Sequence, residues 1–261
     1  MAPARELSKT SWGSGRRVVL VHGFTQSKAS WRSIAEQLGR SYEVVAIDLP
    51  DHGGSSGVHA VDLEDAATLL GEAGGEAVYV GYSLGGRVCL TLALQAPELV
   101  QALVLVGATP GIADEEERAL RRESDNVLAD RLDPTVGSPT ALGLEEFIEE
   151  WLAGPLFARL DPEQADRASR LTNSTEGLAR SLRTTGTGTQ TPSHARLREL
   201  SMPVLLLAGG DDQRFSAIAR DMANAIGLNA SLELIRGAGH AAPFEDPRSF
   251  LDVVASFLDT I

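Results

Sequence analysis

The 261-residue sequence predicts an α/β fold with a mostly parallel central sheet, helices on both faces and an inserted helical cap. Three observations carry that expectation. Short runs that are apolar at every position alternate with amphipathic stretches of helical period, the pattern of a parallel sheet covered on both sides. The alternation stops after Pro110-Gly111 and resumes at Pro203. The stretch between is charged and helical in period, with no convincing strand.

The elements follow in order. The first strand runs from Arg17 to Val21 and ends at His22-Gly23. Trp31, Ile34, Ala35 and Leu38 share one face of a helix opened by Ser30. Tyr42 to Ile47 is the next strand, ended by turn chemistry from Asp48 to Ser55. Asp62 opens a helix over Leu63 to Leu70. Ala77 to Val80 reads as a strand, Leu84 to Gln95 as a helix and Ala102 to Val106 as a strand. In the insert, Asp114 caps a helix whose first turn, Glu115-Glu116-Glu117, complements the helix dipole. Leu144, Phe147, Ile148 and Trp151 make an apolar stripe, with Glu145, Glu146, Glu149 and Glu150 facing away. Thr184 to Pro192 is rich in glycine and threonine and is expected to be a loop. Beyond the insert, Val204 to Ala208 and Ser231 to Ile235 are strands, while Phe215 to Ile226 and Pro247 to Leu258 are helices. The expected division is a core of residues 1–110 and 197–261 and a cap of residues 111–196.

Composition bounds the function. A 43% hydrophobic content supports a sizeable core. No apolar run approaches the ~18 residues that span a bilayer. Met1 to Arg17 lacks the apolar stretch of a secretion signal, so a cytoplasmic protein without membrane contact is expected. The single cysteine, Cys89, allows no internal disulfide and no cysteine-rich metal site. A net charge of -13 argues against a general nucleic-acid binder. Lys9 and Lys28 are the only lysines among 23 basic residues, and the arginine fork suits carboxylates and phosphates. There is no second glycine-rich nucleotide loop and no ligand cluster, so neither cofactor nor metal is expected. The expected state is a monomer or a weak homo-oligomer.

The chemistry centres on Gly81-Tyr82-Ser83-Leu84-Gly85, a Gly-x-Ser-x-Gly segment between a strand and a helix. In a chain with 26 glycines that segment means little by itself. Ser83 reads equally well as an exposed nucleophile on a sharp turn and as an ordinary helix N-cap. Three further features favour the nucleophile. Gly237-Ala238-Gly239-His240 follows the last strand and offers a base at the same sheet edge. Gly209-Gly210-Asp211-Asp212 follows the preceding strand and offers an acid to orient that base. His22-Gly23-Phe24 follows the first strand, so the Phe24 and Leu84 backbone N–H groups can form an oxyanion hole. Each has a bland reading as a loop, cap or turn residue, but the chain order serine, aspartate, histidine is the one expected for such a site. Spacing alone leaves Asp211 and Asp212 both open for the acid. His52, His59 and His194 lack metal-ligand spacing and read as structural or exposed. Cys89, inside the elbow helix, reads as a small buried hydrophobe.

Together these residues resemble the α/β-hydrolase superfamily. Inside the insert the likeness becomes more specific. "EEERALRRESD", Trp151 followed by Pro155-Leu156-Phe157, and "TGTGTQ" resemble the menaquinone-pathway 2-succinyl-6-hydroxy-2,4-cyclohexadiene-1-carboxylate synthase family (MenH-type). So do "VHGFTQSKASW", "VGYSLGGR", "LLLAGGDDQRFSAIA" and "GAGHAAPFEDP", and the likeness runs from about Val18 to Leu258. The resemblance implies a lyase that takes a proton from a cyclohexene carbon and eliminates pyruvate by 2,5-elimination, giving a cyclohexadiene. It implies that Ser83, with His240 and Asp212, acts as a base on carbon, and that the oxyanion hole stabilises charge building on a substrate carboxylate. The family's acid motif aligns with Asp212-Gln213-Arg214-Phe215, which selects Asp212 over Asp211. A small tricarboxylate substrate is implied, and an arginine-lined site suits it. The matching positions implied to contact it are Tyr82, Arg87, Arg121, Trp151 and Arg170.

The insert carries ten arginines against sixteen acids, so most of these arginines are expected in surface ion pairs. Arg118 and Arg122 lie beside Arg121 on the same helix and compete with it for the inward position. Two departures from the family pattern stand out. Asp51 occupies a turn position where glycine is common, and a carboxylate near the mouth of the site would disfavour an anionic substrate. Arg214 stands where lysine is usual. The short N-terminus implies reduced early edge strands. Two other readings compete: a carboxylic-ester or C–C-bond serine hydrolase using the same residues, and a non-catalytic small-molecule receptor on the same fold.

Overall fold

The computed structural model describes residues 5–261. Seven strands form one sheet: β1 Lys9–Trp12, β2 Arg17–Val21, β3 Glu43–Ile47, β4 Ala77–Tyr82, β5 Val100–Val106, β6 Val204–Gly209 and β7 Ala230–Ile235. Their spatial order is β1-β3-β2-β4-β5-β6-β7. All pairings are parallel except that of β1, which runs antiparallel to β3. The sequence reading began its strands at Arg17 and missed β1. The polar segment Lys9-Thr10-Ser11-Trp12 is mostly exposed and has no apolar pattern to betray it. An edge strand needs only backbone pairing on one side.

Among the described residues, ten α-helices accompany the sheet: α1 Arg32–Leu38, α2 Leu63–Gly74, α3 Leu84–Gln95, α4 Glu115–Leu132, α5 Leu144–Leu152, α6 Arg167–Arg170, α7 Thr175–Thr185, α8 Gln213–Ile226, α9 Ala242–Glu245 and α10 Pro247–Leu258. The central strands are buried on both faces, and alternate residues serve opposite cores. Val19, Tyr79, Leu103 and Leu206 face α2, α3 and α8. Val18, Val78, Val104 and Leu205 face the other way, toward Trp31 and Ile34 and toward Phe250 and Val254 of α10.

The segment between β5 and β6 contributes helices α4 to α7 and no strand. It has an apolar cluster of its own, built from Ala129, Leu132, Phe147, Ile148, Leu178, Ala179 and Leu182. This cluster meets the core through Phe24 and Trp151. The rest of α4 is polar or exposed, with Leu120 and Val127 both open to solvent.

The topology fixes where a site can form. The chain passes from β2 outward to β3, then returns to lay β4 on the other side of β2. At such a switch point the connections from neighbouring strands leave in opposite directions, and a crevice opens at their carboxyl ends. His22-Gly23-Phe24 leaves β2 there, and Ser83 leaves β4.

Candidate active site

Ser83 sits at φ 53 and ψ -110, a strained backbone for a residue with a side chain. The neighbouring glycines explain how the strain is accommodated. A Cβ on Gly81 would lie 2.4 Å from the Gly85 carbonyl oxygen, and one on Gly85 would lie 2.3 Å from that of Val21. The turn is therefore so tight that neither position can carry a side chain. The Ser83 N–H donates to the Val106 carbonyl at 2.8 Å, which ties the turn to β5. Its side chain makes no capping bond to α3, so the hydroxyl is left for the cavity.

His240 approaches from the loop after β7. Its Nε2 lies 3.2 Å from Ser83 Oγ, and its Nδ1 lies 3.0 Å from Asp212 Oδ2. The other Asp212 oxygen accepts the Phe215 N–H at 3.1 Å, capping α8. Burial pushes the Asp212 carboxyl up, but hydrogen bonds from His240 and Phe215 and the His240 and Arg214 charges outweigh it, leaving it below its usual range. The imidazole packs 4.5 Å from the Phe215 ring and 5.5 Å from the Tyr82 ring. Asp211, the other acid left open by spacing, pairs instead with Arg159 of the insert.

The Phe24 and Leu84 N–H groups have no hydrogen-bond partner among the described residues, and both residues line the cavity in front of Ser83. Phe24 belongs to a heavily braced turn. His22 Nε2 accepts the Leu49 N–H at 3.0 Å, so its Nδ1 carries the proton and donates to the Gly23 carbonyl. Burial lowers the His22 pKa, keeping it neutral in that role. Thr25, buried at φ 69, is held by the insert: Arg170 donates to its hydroxyl, and Asn173 Nδ2 donates to its carbonyl at 2.6 Å.

The cavity is about 1050 Å³. Among the sequence-expected residues its wall holds Phe24, Ser83, Leu84, Arg87, Arg121, Trp151, Asp212 and His240. Tyr82 and Arg170 lie behind that wall. Tyr82 is 3% exposed, with its ring under Gly23, where a Cβ would come within 2.8 Å of it. Arg170 is covered by the Phe157 ring, 5.7 Å from its guanidinium, and donates to the Ala165 carbonyl at 2.7 Å.

Arg87 is buried and forms no ion pair among the described residues; it donates to Gln190 Oε1 at 3.2 Å. Burial, with repulsion from Arg121, pushes its pKa down to about 10. Arg121 donates to the buried Asp125 at 2.8 Å, and Asp125 also accepts the Gly188 N–H at 3.3 Å. A Cβ on Gly188 would lie 2.3 Å from the Arg122 nitrogen, so this segment packs directly on α4. That contact explains why "TGTGTQ" accompanies "EEERALRRESD": glycines let the backbone reach Asp125, and Gln190 turns to Arg87. Of the three competing arginines, Arg121 lines the cavity, Arg118 donates to the Ile112 carbonyl at 2.9 Å, and Arg122 is exposed. The sequence reading missed Gln190, Asp125 and the wall residue Arg159. Uncharged Gln190 carried no signal beyond its motif.

The Asp51 expectation is corrected. At φ 66 its side chain turns away from the cavity, is 1% exposed, and accepts from Arg180 at 2.8 Å and pairs with His59 at 2.6 Å. It adds no carboxylate to the mouth. Arg214 does line the cavity and lies over the Phe215 ring.

Comparisons with known proteins show the family and the fold. A family model described as the α/β hydrolase fold matches residues 16–247. A putative 2-succinyl-6-hydroxy-2,4-cyclohexadiene-1-carboxylate synthase of Bacillus subtilis (strain 168) is 35% identical over 257 residues, covering 94% of this chain and 90% of that protein. The synthase of the same name from Salmonella agona (strain SL483) is 34% identical over 250 residues, covering 92% and 93%. The structure of MenH from S. aureus superposes with a TM-score of 0.87 at 31% identity, covering 97% of this chain and 98% of that one. The chain belongs to the α/β-hydrolase fold family and, within it, to the 2-succinyl-6-hydroxy-2,4-cyclohexadiene-1-carboxylate synthases.

Proposed function

We propose that the protein is a carbon–oxygen lyase of menaquinone biosynthesis. It eliminates pyruvate from 2-succinyl-5-enolpyruvyl-6-hydroxy-3-cyclohexene-1-carboxylate. Ser83, His240 and Asp212 act together as its base, and residues 111–196 act as a cap over the site. One observation carries the reading furthest: Arg87, buried and in no ion pair among the described residues, opens into the cavity one helical turn from Ser83. A buried cation is costly until an anion meets it. A substrate with three carboxylates supplies that anion, and Arg121 beside it takes another. A neutral ester would leave Arg87 uncompensated.

The chemistry follows from the positions. The proton on ring carbon 2 lies next to the succinyl ketone, so removing it builds charge on the ketone oxygen. That oxygen, rather than the ring carboxylate expected from the sequence, is the natural guest of the Phe24 and Leu84 N–H groups. Ser83 Oγ takes the carbon-bound proton while passing its own to His240 Nε2, and Asp212 stabilises the imidazolium. The ring electrons then shift: the carbon 2 electron pair forms a double bond to carbon 3, the double bond between carbons 3 and 4 moves to carbons 4 and 5, and the carbon 5–oxygen bond breaks. The enolpyruvyl group leaves as the enolate, takes up a proton and becomes pyruvate. No covalent intermediate on Ser83 is needed. Arg170 and Tyr82 reach such a substrate only if Phe157 and the Gly23 turn move aside.

The test is pyruvate release from that substrate, run beside a p-nitrophenyl ester. Pyruvate is expected without an acyl-enzyme burst. Rapid ester turnover with a burst and no pyruvate overturns the lyase reading in favour of a serine hydrolase.

A further inference from the structure

His240 is a loop residue, yet it must hold two side-chain partners at once. Backbone bonds hold the ends of its loop: the Ala238 carbonyl accepts the Asp211 N–H at 2.9 Å, and the Ala241 carbonyl accepts the Glu245 N–H at 3.0 Å. The Gly239 and Ala241 N–H groups are held by a side chain, that of Glu245 at the end of α9. Glu245 Oε2 accepts the Gly239 N–H at 2.5 Å, and Oε1 accepts the Ala241 N–H at 2.9 Å. The carboxylate therefore bridges the N–H groups of the two residues that flank His240. A Cβ on Gly239 would sit 3.3 Å from both oxygens, so glycine leaves the carboxylate room to approach. Glu245 is itself anchored. The next residue, Asp246, caps α10 by accepting the Ser249 N–H at 3.0 Å. Phe250 of that helix is buried 5.9 Å from the Trp31 ring. Glu245 thereby ties the backbone beside His240 to α10 and the core beneath it.

We infer that Glu245 is a positioning residue for the base: by bridging the N–H groups of Gly239 and Ala241 it fixes the backbone from which the His240 imidazole reaches Ser83 and Asp212. Two acceptors are required, because two donors converge. Glutamine keeps the size but offers one oxygen and a second donor that faces an N–H. Aspartate keeps both oxygens but is one methylene short. A displacement of about 1 Å in a proton-transfer partner can slow catalysis by about 100-fold.

The inference rests on Ser83, His240 and Asp212 being the working group, so the test reads them with and without the proposed substrate. Glu245→Gln is expected to lower kcat for pyruvate release by about 10- to 100-fold with KM within about twofold. It should slow labelling of Ser83 by a fluorophosphonate by a similar factor. Slower labelling in a protein whose wild type releases no pyruvate would sink the lyase reading and leave the Glu245 bridge standing. Unchanged labelling and kcat in folded Glu245→Gln, or a raised KM with kcat intact, overturns it. Should that variant fail to fold, Glu245→Asp is read in the same way. In the wild type, hydrogen exchange gives an independent reading. The Gly239 and Ala241 amides should exchange far more slowly than the Gly237 amide, and equal rates overturn the inference.

Discussion

Around Ser83 the backbone leaves no space for a side chain; around Arg121 the insert aims its group through a carboxylate. In the core, Gly81, Gly85 and the strained Ser83 turn are locked by carbonyls under 2.5 Å from any added Cβ. In the insert, Arg121 is oriented by Asp125, Gln190 accepts from Arg87 of α3, and α7 is tied down through Arg180 and Asp51. Close packing has one solution, so the core should hold a fixed reacting geometry. Polar tethers part and re-form, so the insert is the half suited to admitting a charged substrate. The difference predicts that core substitutions destroy rate, whereas insert substitutions weaken binding by smaller steps.

The largest effect is expected at Ser83. Ser83→Ala removes the group proposed to take the substrate proton, and elimination should fall by at least about 10³-fold. Its thermal stability should stay close to wild type, because alanine keeps the Cβ and with it the same backbone strain. Measured pyruvate release above a tenth of wild type would mean that another group is the base. Gly85→Ala should be nearly as damaging by a different route. Its Cβ must displace the end of β2, at about 3 kcal/mol or more. Denaturant unfolding would show that loss, and a variant of wild-type stability would mean the turn is looser than described.

Next come the arginines. Arg121→Ala should weaken binding and transition-state stabilisation together, by about 2–4 kcal/mol in kcat/KM, if a desolvated carboxylate meets it. Steady-state kinetics checks this, and unchanged kcat/KM would show that Arg121 meets no carboxylate.

The same division explains what was legible in the sequence. The central parallel strands were readable because they are buried on both sides and therefore apolar, whereas the edge strand β7 is half exposed and carries Ser231 and Glu233. That Ser83, His240 and Asp212 meet was readable because each follows a strand and all share one sheet edge. Nothing local announced β1, whose polar residues pair by backbone alone. Asp51 was misread because its direction depends on Arg180, more than a hundred residues away, and Gln190 gained its place only through Arg87. Long-range polar partners leave no periodic trace.

Acid should unfold the core side of the comparison through His52. Burial, with repulsion from His22, holds its imidazole neutral, with a pKa of about 4 against 6.5 unperturbed. Below pH 6.5 the unfolded chain takes up a proton that the folded chain refuses until about pH 4, so stability falls as pH falls through that window. The full loss is about 3 kcal/mol. Melting temperatures between pH 7 and 4.5 should fall more steeply for the wild type than for His52→Gln. Equal slopes would show that His52 is not held neutral.

The smallest and most asymmetric effect is expected at the tether between Asp51 and Arg180. The Asp51 carboxylate is 1% exposed, whereas the Arg180 side chain is 42% exposed. Arg180→Ala therefore strands a buried carboxylate with only His59 beside it, at a cost of about 2–3 kcal/mol. Asp51→Gly removes the carboxylate and also the positive-φ strain, and its freed arginine can turn to water, so it should cost under about 1 kcal/mol. The double variant should be more stable than Arg180→Ala alone, because the stranded charge is gone. Because α7 lines the cavity through Ser181, Leu182 and Thr185, both single variants should raise KM more than they lower kcat. Denaturation of all four proteins, with KM measured alongside, checks the pattern. If Asp51→Gly were the more damaging single change, the two groups would be held by something other than each other, and α7 would not depend on a polar tether.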